Sequence, residues 1–228
     1  MANIVKETNS DAVGNYQGNI VPAEKQNNKN IYLGDKKGSP RVLFVGNSIT
    51  KHSIKPDIGW MRDCGMAASC AECDYVHIVS RALKEKYPQA SFGILQVATF
   101  ERNFDKGFNL AEEYREAIEW QPDIAIFFFG ANVPASYDSL ETPEISFGTK
   151  YEELRNLLNS GSARFYHVEG FYLRPVLTRE RNDVCQKYHD TWVPLTDINT
   201  RPETHGLFNH PNDEGMRLIA QRILSHMK

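Results

Sequence analysis

A serine, an asparagine and a histidine lie in three short polar blocks that are far apart in the chain. The blocks are Gly46-Asn47-Ser48, Gly130-Ala131-Asn132 and His210-Pro211-Asn212. A serine hydroxyl is a poor nucleophile unless a base takes its proton, and histidine is the usual base at neutral pH. An asparagine amide can donate a hydrogen bond to the oxygen that becomes charged when a carbonyl is attacked. Brought together, these three side chains form an acyl-transfer constellation.

Each block lies next to an element that the sequence predicts. Four consecutive apolar residues indicate a strand at 41–46 that is buried on both faces. Ser48 follows this strand, Asn132 follows a second apolar strand at 123–129, and His210 precedes the last helix. Parallel strands share their carboxyl edge, and open α/β sheets bind ligands there. We therefore expect the three side chains to converge.

Strands and helices alternate five times along the chain, which predicts the fold class α/β. Right-handed crossovers turn such an alternation into a parallel sheet covered by helices on both sides. The predicted architecture is a three-layer α/β/α sandwich with a five-stranded parallel sheet. The predicted strands are 41–46, 91–98, 123–129, 164–168 and 192–195, and the predicted helices are 69–86, 110–120, 149–161, 179–190 and a last one from about 212.

Two of the helix starts are predicted from the capping-box pattern. Ser69 with Glu72, and Thr149 with Glu152, have the spacing at which a hydroxyl and a carboxylate satisfy the free amides of a first turn. Before the first strand, residues 1–40 are polar and predict an N-terminal extension, with 31–33 lying on the domain surface. The remaining residues, 41–228, form one predicted catalytic domain.

Composition excludes several classes of function. The chain has 228 residues and a formal net charge of -3, with both signs scattered, so no nucleic acid or anionic membrane partner is predicted. No apolar run approaches the roughly 18 residues of a membrane span. The amino terminus lacks the apolar stretch of a signal peptide, which predicts a cytoplasmic protein, or a secreted one if a leader was removed. No phosphate-binding glycine loop is present, which argues against nucleotide hydrolysis.

The four cysteines predict free thiols rather than a disulfide framework. Cys70 and Cys73 form a Cys-x-x-Cys motif, which leaves a redox or metal role as the weaker alternative. With Cys64 and Cys185 they would make four zinc ligands, but the second Cys-x-x-Cys of a zinc site is absent. No metal and no cofactor are predicted.

The three blocks resemble those of the SGNH (GDSL-like) hydrolase superfamily in type, order and spacing, over residues 41–228. The resemblance implies a flavodoxin-like sheet and ester hydrolysis. Ser48 would attack the carbonyl and His210 would take its proton. The Ser48 amide and the Asn132 side chain would hold the oxyanion.

The chain departs from the family pattern in its acids. The family's first block commonly has Asp where this chain has Asn47, and an Asp usually precedes the histidine by three residues, where this chain has Leu207. Either a backbone carbonyl orients His210, as in family members that use a Ser–His dyad, or a more distant acid does. Asp197 and Glu203 are the nearest upstream candidates, and the dyad is the favoured reading.

The second block lacks the family's glycine, whose amide joins the oxyanion hole. A backbone amide of Phe100 or Glu101 could take that role. Glu101 and Arg102 are predicted either to form an ion pair that fixes the loop or to contact the alcohol part of the substrate. In the long segment 51–68, Trp60 and Arg62 could form a substrate wall, although Trp60 could equally anchor the core.

Together these residues predict a serine esterase that removes a small acyl group, with an acetylated carbohydrate as the favoured substrate. The polar, aromatic-bearing loop beside the site and the lack of an obvious long apolar acyl tunnel favour that choice. A thioesterase or lysophospholipase is the rival within the enzyme class. A non-catalytic carbohydrate-binding or interaction protein is the rival outside it, because the acid before His210 is missing.

Overall fold

The computed structural model describes residues 31–141 and 143–227. Its strands are β1 Ile31–Leu33, β2 Arg41–Gly46, β3 Ser91–Gln96, β4 Ile124–Phe128, β5 Arg164–Val168 and β6 Thr191–Val193. They form one sheet in the order β1-β3-β2-β4-β5-β6. Strands β2 to β6 run parallel, while β1 pairs antiparallel with β3. The α/β class is confirmed.

The sixth strand corrects the predicted count of five. β1 lies inside the segment predicted as an extension, and Ile31 pairs with Leu95 of β3. Ile31 is only 3% exposed, so this segment belongs to the sheet and does not merely lie on the surface. Three residues are too few for a period-2 pattern to reveal a strand. The predictions for residues 1–30 lie outside the described residues.

Strand β2 has the central place that its apolar sequence predicts. Val42, Leu43, Phe44 and Val45 are all completely buried. Val42 and Phe44 belong to the core on one face of the sheet, and Leu43 and Val45 belong to the core on the other. Each such side chain stabilises the fold by about 1.5–3 kcal/mol when it is fully buried. The carboxyl end of β2 is thereby held rigidly between β3 and β4.

Seven helices in the described ranges complete the three layers. Helices α1 and α7 cover one face of the sheet, and α2 to α6 cover the other. The helices are α1 Tyr75–Lys86, α2 Ala98–Asn103, α3 Leu110–Glu113, α4 Arg115–Trp120, α5 Phe147–Leu157, α6 Pro175–Lys187 and α7 Asp213–His226. Among them, none combines the length and the apolar character that a membrane crossing requires.

Both capping-box predictions are wrong. Helix α1 begins at Tyr75, and its cap is Asp74, whose carboxylate accepts from His77 N at 2.8 Å. Ser69 instead donates through its amide and hydroxyl to the Asp213 carboxylate. Helix α5 begins two residues before Thr149, and Ser146 caps it. Sequence spacing alone could not tell these hydroxyls from the ones that cap.

Two further helix boundaries differ from the prediction. The segment predicted as one helix at 110–120 breaks at Tyr114 into α3 and α4. Helix α6 begins at Pro175 rather than at 179, since proline suits the first helical position.

The prediction of free cysteines is corrected for one pair. Cys70 and Cys73 form a disulfide, with their Cα atoms 5.2 Å apart, in the segment just before α1. Cys64 and Cys185 are buried free thiols, as predicted. Burial raises the pKa of both, so they are unreactive at neutral pH. Among the described residues, no group of acidic, histidine and cysteine side chains could hold a metal ion.

Asp74→Ala tests the corrected start of α1. Asp74 also accepts from Gly65 N at 3.0 Å and from His77 Nδ1 at 2.7 Å, so its loss removes the acceptor of three buried donors. We expect the free energy of unfolding in urea to fall by about 2–4 kcal/mol. Ser69→Ala is the control, with an expected loss below about 1 kcal/mol. An equal loss in both variants would show that Ser69 caps the helix after all.

Candidate active site

Ser48 and His210 are in direct contact. Ser48 lies in the tight turn after β2, in which the Asn47 carbonyl accepts from Thr50 N and Lys51 N at 2.9 Å each. The Ser48 Oγ atom lies 2.7 Å from His210 Nε2. This is the distance at which a histidine can take the proton of a serine nucleophile. The fold therefore joins two residues that are 162 positions apart in the chain.

The other nitrogen of His210 is bound to the backbone. His210 Nδ1 lies 2.9 Å from the carbonyl oxygen of Phe208. A carbonyl oxygen only accepts, so Nδ1 carries the proton in the neutral ring and Nε2 presents its lone pair to Ser48. The turn that carries this carbonyl has two successive left-handed residues, Phe208 at φ 55° and Asn209 at φ 59°. Non-glycine residues adopt this conformation at a cost of roughly 1–2 kcal/mol each.

Neither predicted acid serves His210. Within residues 31–141 and 143–227, the Nδ1 atom has the Phe208 carbonyl and no carboxylate as its hydrogen-bond partner. Both carboxylate oxygens of Asp197 accept from Arg222 at 2.8 Å, and this guanidinium holds the Asp197 pKa below its usual range. The Glu203 side chain is exposed, and its backbone carbonyl accepts from Asn212. The geometry is that of a Ser–His pair.

Asn132 reaches the same edge from the neighbouring strand. Gly46 and Phe128 are paired in β2 and β4, so both strands end level with each other. The Asn132 Oδ1 atom accepts from Arg102 Nη2 at 2.8 Å, and its Nδ2 atom donates to Glu101 Oε2 at 2.8 Å. These two contacts fix which way the amide points. One N–H of Nδ2 is left for another acceptor.

Glu101 has none of its three predicted roles. Its backbone N–H donates to Val97 O at 3.0 Å inside α2. Its carboxylate is fully buried and accepts only from protein N–H groups, so it contacts no substrate. The predicted Glu101–Arg102 ion pair is also wrong, because Arg102 binds Asn132 instead. Burial raises the pKa of Glu101, and the hydrogen bonds from Asn132 and its neighbours oppose that shift.

Phe100 is part of the core. Its ring is completely buried and stacks on Phe147 at a centroid distance of 6.0 Å. The oxyanion role predicted for the Phe100 amide stays a prediction, whereas the Glu101 amide is used inside the helix.

Trp60 anchors the long loop and does not form a substrate wall. It is 1% exposed, and its indole N–H donates to His52 O at 3.1 Å. The loop is closed further by His52 N, which donates to Cys64 O at 2.9 Å, and by the ion pair of Lys51 with Asp63. Arg62 remains half-buried in this loop.

Two residues near His210 were not found from the sequence. The Tyr172 ring lies edge-on to the imidazole, with centroids 5.9 Å apart. His52 is close enough for its charge to lower the His210 pKa, a smaller effect than the burial that also lowers it. The Phe208 carbonyl opposes both effects. Neither residue lies in a motif, because long-range packing alone brings them to the site.

A third missed residue, Arg181, lies under the loop that carries Asn132. It is 2% exposed, and its Nη1 donates to Phe129 O at 2.7 Å and to Val168 O at 3.3 Å. Arg181 also lines a cavity of about 20 Å³ that is bordered by Asn47 and Ile49, the two neighbours of Ser48. Such a volume holds one water-sized group.

Several solved structures share this fold. A two-domain esterase active on acetylated mannans matches 82% of this chain and 49% of its own, with a TM-score of 0.58 and 20% identity. A family two carbohydrate esterase from Cellvibrio japonicus matches 83% and 61%, with a TM-score of 0.57 and 16% identity. A protein from Bacteroides uniformis described as a GDSL-like lipase matches 83% and 95%, with a TM-score of 0.54 and 15% identity.

These likenesses define the fold. The chain shares the fold of these two esterases and of the protein described as a GDSL-like lipase, which is the fold that the resemblance implies. It spans about half the length of the two-domain esterase that it matches. No family model matches the chain, and no curated protein matches it.

The titration of His210 tests the carbonyl contact. Because burial lowers its pKa, an NMR titration should give a value below the ordinary 6.5. Asp197→Asn and Glu203→Gln should leave that value unchanged, since neither carboxylate holds the ring. A carboxylate partner raises a histidine pKa, so its removal would lower the pKa by about a unit or more. Such a drop in either variant would contradict the Ser–His geometry.

Proposed function

We propose that this chain is a serine esterase in which Ser48 is the nucleophile and His210 is the base. The contact of 2.7 Å between Ser48 Oγ and His210 Nε2 carries the proposal. Two further observations support it. The Phe208 carbonyl fixes the tautomer that a base requires, and Asn132 has a donor at the same edge of the sheet.

The reaction follows from these positions. Ser48 Oγ attacks the ester carbonyl while its proton moves to His210 Nε2. The Ser48 amide and Asn132 Nδ2 donate to the oxygen that gains the negative charge. The tetrahedral species collapses, the C–O bond to the alcohol breaks, and Nε2 returns the proton to the leaving alkoxide. Water then attacks the acyl-serine, with His210 again as the base, and releases the carboxylic acid.

The missing acid is compatible with this chemistry. A carboxylate beside Nδ1 would stabilise the imidazolium form, whereas the Phe208 carbonyl does so less strongly. Burial keeps His210 neutral at pH 7, so the base is in its active form there. The contribution that remains for the carbonyl is to hold the ring in one tautomer and one orientation.

A short acyl group fits the surroundings of Ser48. The cavity of about 20 Å³ is lined by Asn47 and Ile49, the neighbours of Ser48, and not by Ser48 itself; it has room for one methyl-sized group, as an acetyl ester would need. A second, open groove of about 520 Å³ lies on the other side of Arg174, which lines both spaces. Trp192 and Asn182 border this groove and offer an aromatic face and a hydrogen-bonding amide. This combination suits a sugar, and two proteins of the same fold are carbohydrate esterases.

One observation favours a longer acyl chain as the second candidate. Leu173, Leu207 and Phe208 are 71%, 57% and 48% exposed, and all three are close in sequence to residues that contact His210. Exposed apolar side chains near a site suit a fatty acyl substrate such as a thioester or lysophospholipid. Hydrolysis rates across a series of p-nitrophenyl esters from acetyl to palmitoyl separate the two candidates.

The disulfide bears on the compartment. Disulfides persist in exported proteins and are rare in the cytosol of most organisms. The Cys70–Cys73 bond therefore supports an oxidising compartment over the cytoplasmic location that the amino terminus suggested.

Loss of either reacting side chain tests the proposal. Ser48→Ala and His210→Ala should each lower kcat/KM on p-nitrophenyl acetate by at least about 10³-fold. A fluorophosphonate should label one serine, Ser48, in the wild-type protein. Ser139→Ala is the matched control, because this exposed hydroxyl donates only to a nearby carbonyl. A folded wild-type protein with no labelling and no turnover on any acyl length would be a binding protein instead.

Trp192→Ala tests the sugar groove. On an acetylated oligosaccharide we expect kcat/KM to fall roughly tenfold, which corresponds to about 1.4 kcal/mol of lost contact. On p-nitrophenyl acetate, which has no sugar, the value should stay the same. Trp192→Phe keeps an aromatic face and should retain most of the activity. Equal effects on both substrates, or no effect on either, would show that the groove does not bind the sugar.

A further inference from the structure

We infer that Glu101 is a positioning residue that holds the Ser48 turn and Asn132 in one geometry through a single buried carboxylate. This inference rests on the proposed roles of Ser48 and Asn132. Three groups from two different loops meet at Glu101, namely Asn47, Gly130 and Asn132. None of the three blocks that carry the resemblance contains this residue.

Four N–H groups point at the carboxylate. Glu101 Oε1 accepts from Asn47 Nδ2 at 3.1 Å, from Gly130 N at 2.5 Å and from Asn132 N at 3.2 Å. Glu101 Oε2 accepts from Asn132 Nδ2 at 2.8 Å. Every partner is a donor, and an ionised carboxylate can satisfy them all, whereas a protonated one would turn an O–H toward a donor. The contacts therefore favour the ionised form and oppose the rise in pKa that complete burial causes.

A buried cation on the other side of the loop balances this charge. Arg181 donates to the carbonyl oxygen of Phe129 at 2.7 Å, and the N–H of the same peptide unit, on Gly130, donates to Glu101. The peptide is thus held at both ends by opposite charges. The hydrogen bonds of Arg181 in the described residues go to backbone carbonyls. Burial lowers the pKa of Arg181, and the charges of Tyr151 and Glu101 oppose that shift. Asn132 is two residues beyond this clamped peptide.

Asn47 transmits the same constraint to the nucleophile. Its side-chain Oδ1 accepts from Ile49 N at 3.4 Å, and its Nδ2 donates to Glu101. Ser48 lies between Asn47 and Ile49 in the chain, and the Asn47 side chain bonds to the Ile49 amide, so the orientation of Ser48 depends on Asn47. The block typical of the family has an acid at this position. In this chain position 47 is an amide, Asn47, and the acid that contacts it is Glu101, so the Asn47–Glu101 pair has a single negative charge.

This pairing predicts that the family-like residue is harmful in this chain. Asn47→Asp would place a second carboxylate about where Nδ2 now lies 3.1 Å from Glu101. Like charges so close cannot both stay ionised without cost. In the double variant Asn47→Asp/Glu101→Gln, an acid and an amide face each other again with their places exchanged.

The test measures kcat and KM on p-nitrophenyl acetate for Glu101→Gln, Asn47→Asp and the double variant, each checked for folding by circular dichroism. In Glu101→Gln one amide N–H faces Asn132 Nδ2, donor against donor, so kcat should fall at least about tenfold while KM changes less than about threefold. Asn47→Asp should lose more. The double variant should recover about tenfold over Asn47→Asp.

Asp190→Asn is the matched control. Asp190 is also a largely buried carboxylate, with side-chain exposure of 7%, and it binds Arg155 and His167 instead of any residue of the site. This variant should lose stability and keep its kcat. If Glu101→Gln folds and keeps the wild-type kcat, or loses activity only as far as it loses stability, Glu101 is structural alone. If Glu101→Gln does not fold, a family-like Asn47→Asp with full activity would overturn the inference.

The two proposals fail in different ways. No fluorophosphonate labelling and no turnover in the wild-type protein would end the proposed esterase and this inference with it. Normal labelling and turnover in the wild type, together with an unaffected Glu101→Gln, would end only the role of Glu101.

Discussion

The parallel pairing of β2 with β4 is the constraint on which the candidate site depends. Gly46 and Phe128 are paired at the ends of these strands, so the loops that carry Ser48 and Asn132 leave the sheet side by side. The apolar core on both faces of β2 keeps that edge in place. The strand register places the loops but does not orient their side chains. Polar contacts beneath the loops do so.

Two different kinds of contact orient the side chains of Asn132 and His210. Around Asn132, buried opposite charges hold a peptide unit between Glu101 and Arg181, at the expense of desolvating both. Around His210, a strained turn directs a neutral carbonyl at Nδ1. Strain of this kind persists only where the surrounding contacts over-determine the backbone. Here the Gly206 amide donates to His210 O at 2.7 Å, and the His205 ring contacts the Asn209 side chain.

The sequence predicted what depends on local pattern. The apolar run of β2 indicated a central strand, and the three polar blocks indicated which residues would meet, because strand ends in a parallel sheet share one edge. It could not reveal β1, whose three residues show no period. It misjudged Ser69, since a hydroxyl with capping spacing bonds equally well to a distant acid. It left Trp60 open between a core anchor and a substrate wall, since an indole suits both.

The supporting residues were beyond sequence reasoning for a physical reason. The sequence suggested other roles for Glu101 and gave no reason to single out Arg181, and only the tertiary fold shows that both are buried. One signal was present. Asn47 stands where the resembling family has an acid, and the structure shows a carboxylate from elsewhere in the chain against that position. When a motif lacks an expected charged residue, a charged residue from another part of the chain can occupy the same place in the fold.

Trapping the acyl-enzyme tests most directly whether Ser48 is the nucleophile. The wild-type protein is mixed with p-nitrophenyl acetate, quenched in acid within milliseconds, digested and analysed by mass spectrometry. If Ser48 is the nucleophile, one acetyl group appears on the peptide that contains Ser48 with a burst of p-nitrophenol and disappears as water attacks. Turnover without any acetylated Ser48, or acetylation at another residue that tracks the burst, would contradict that role.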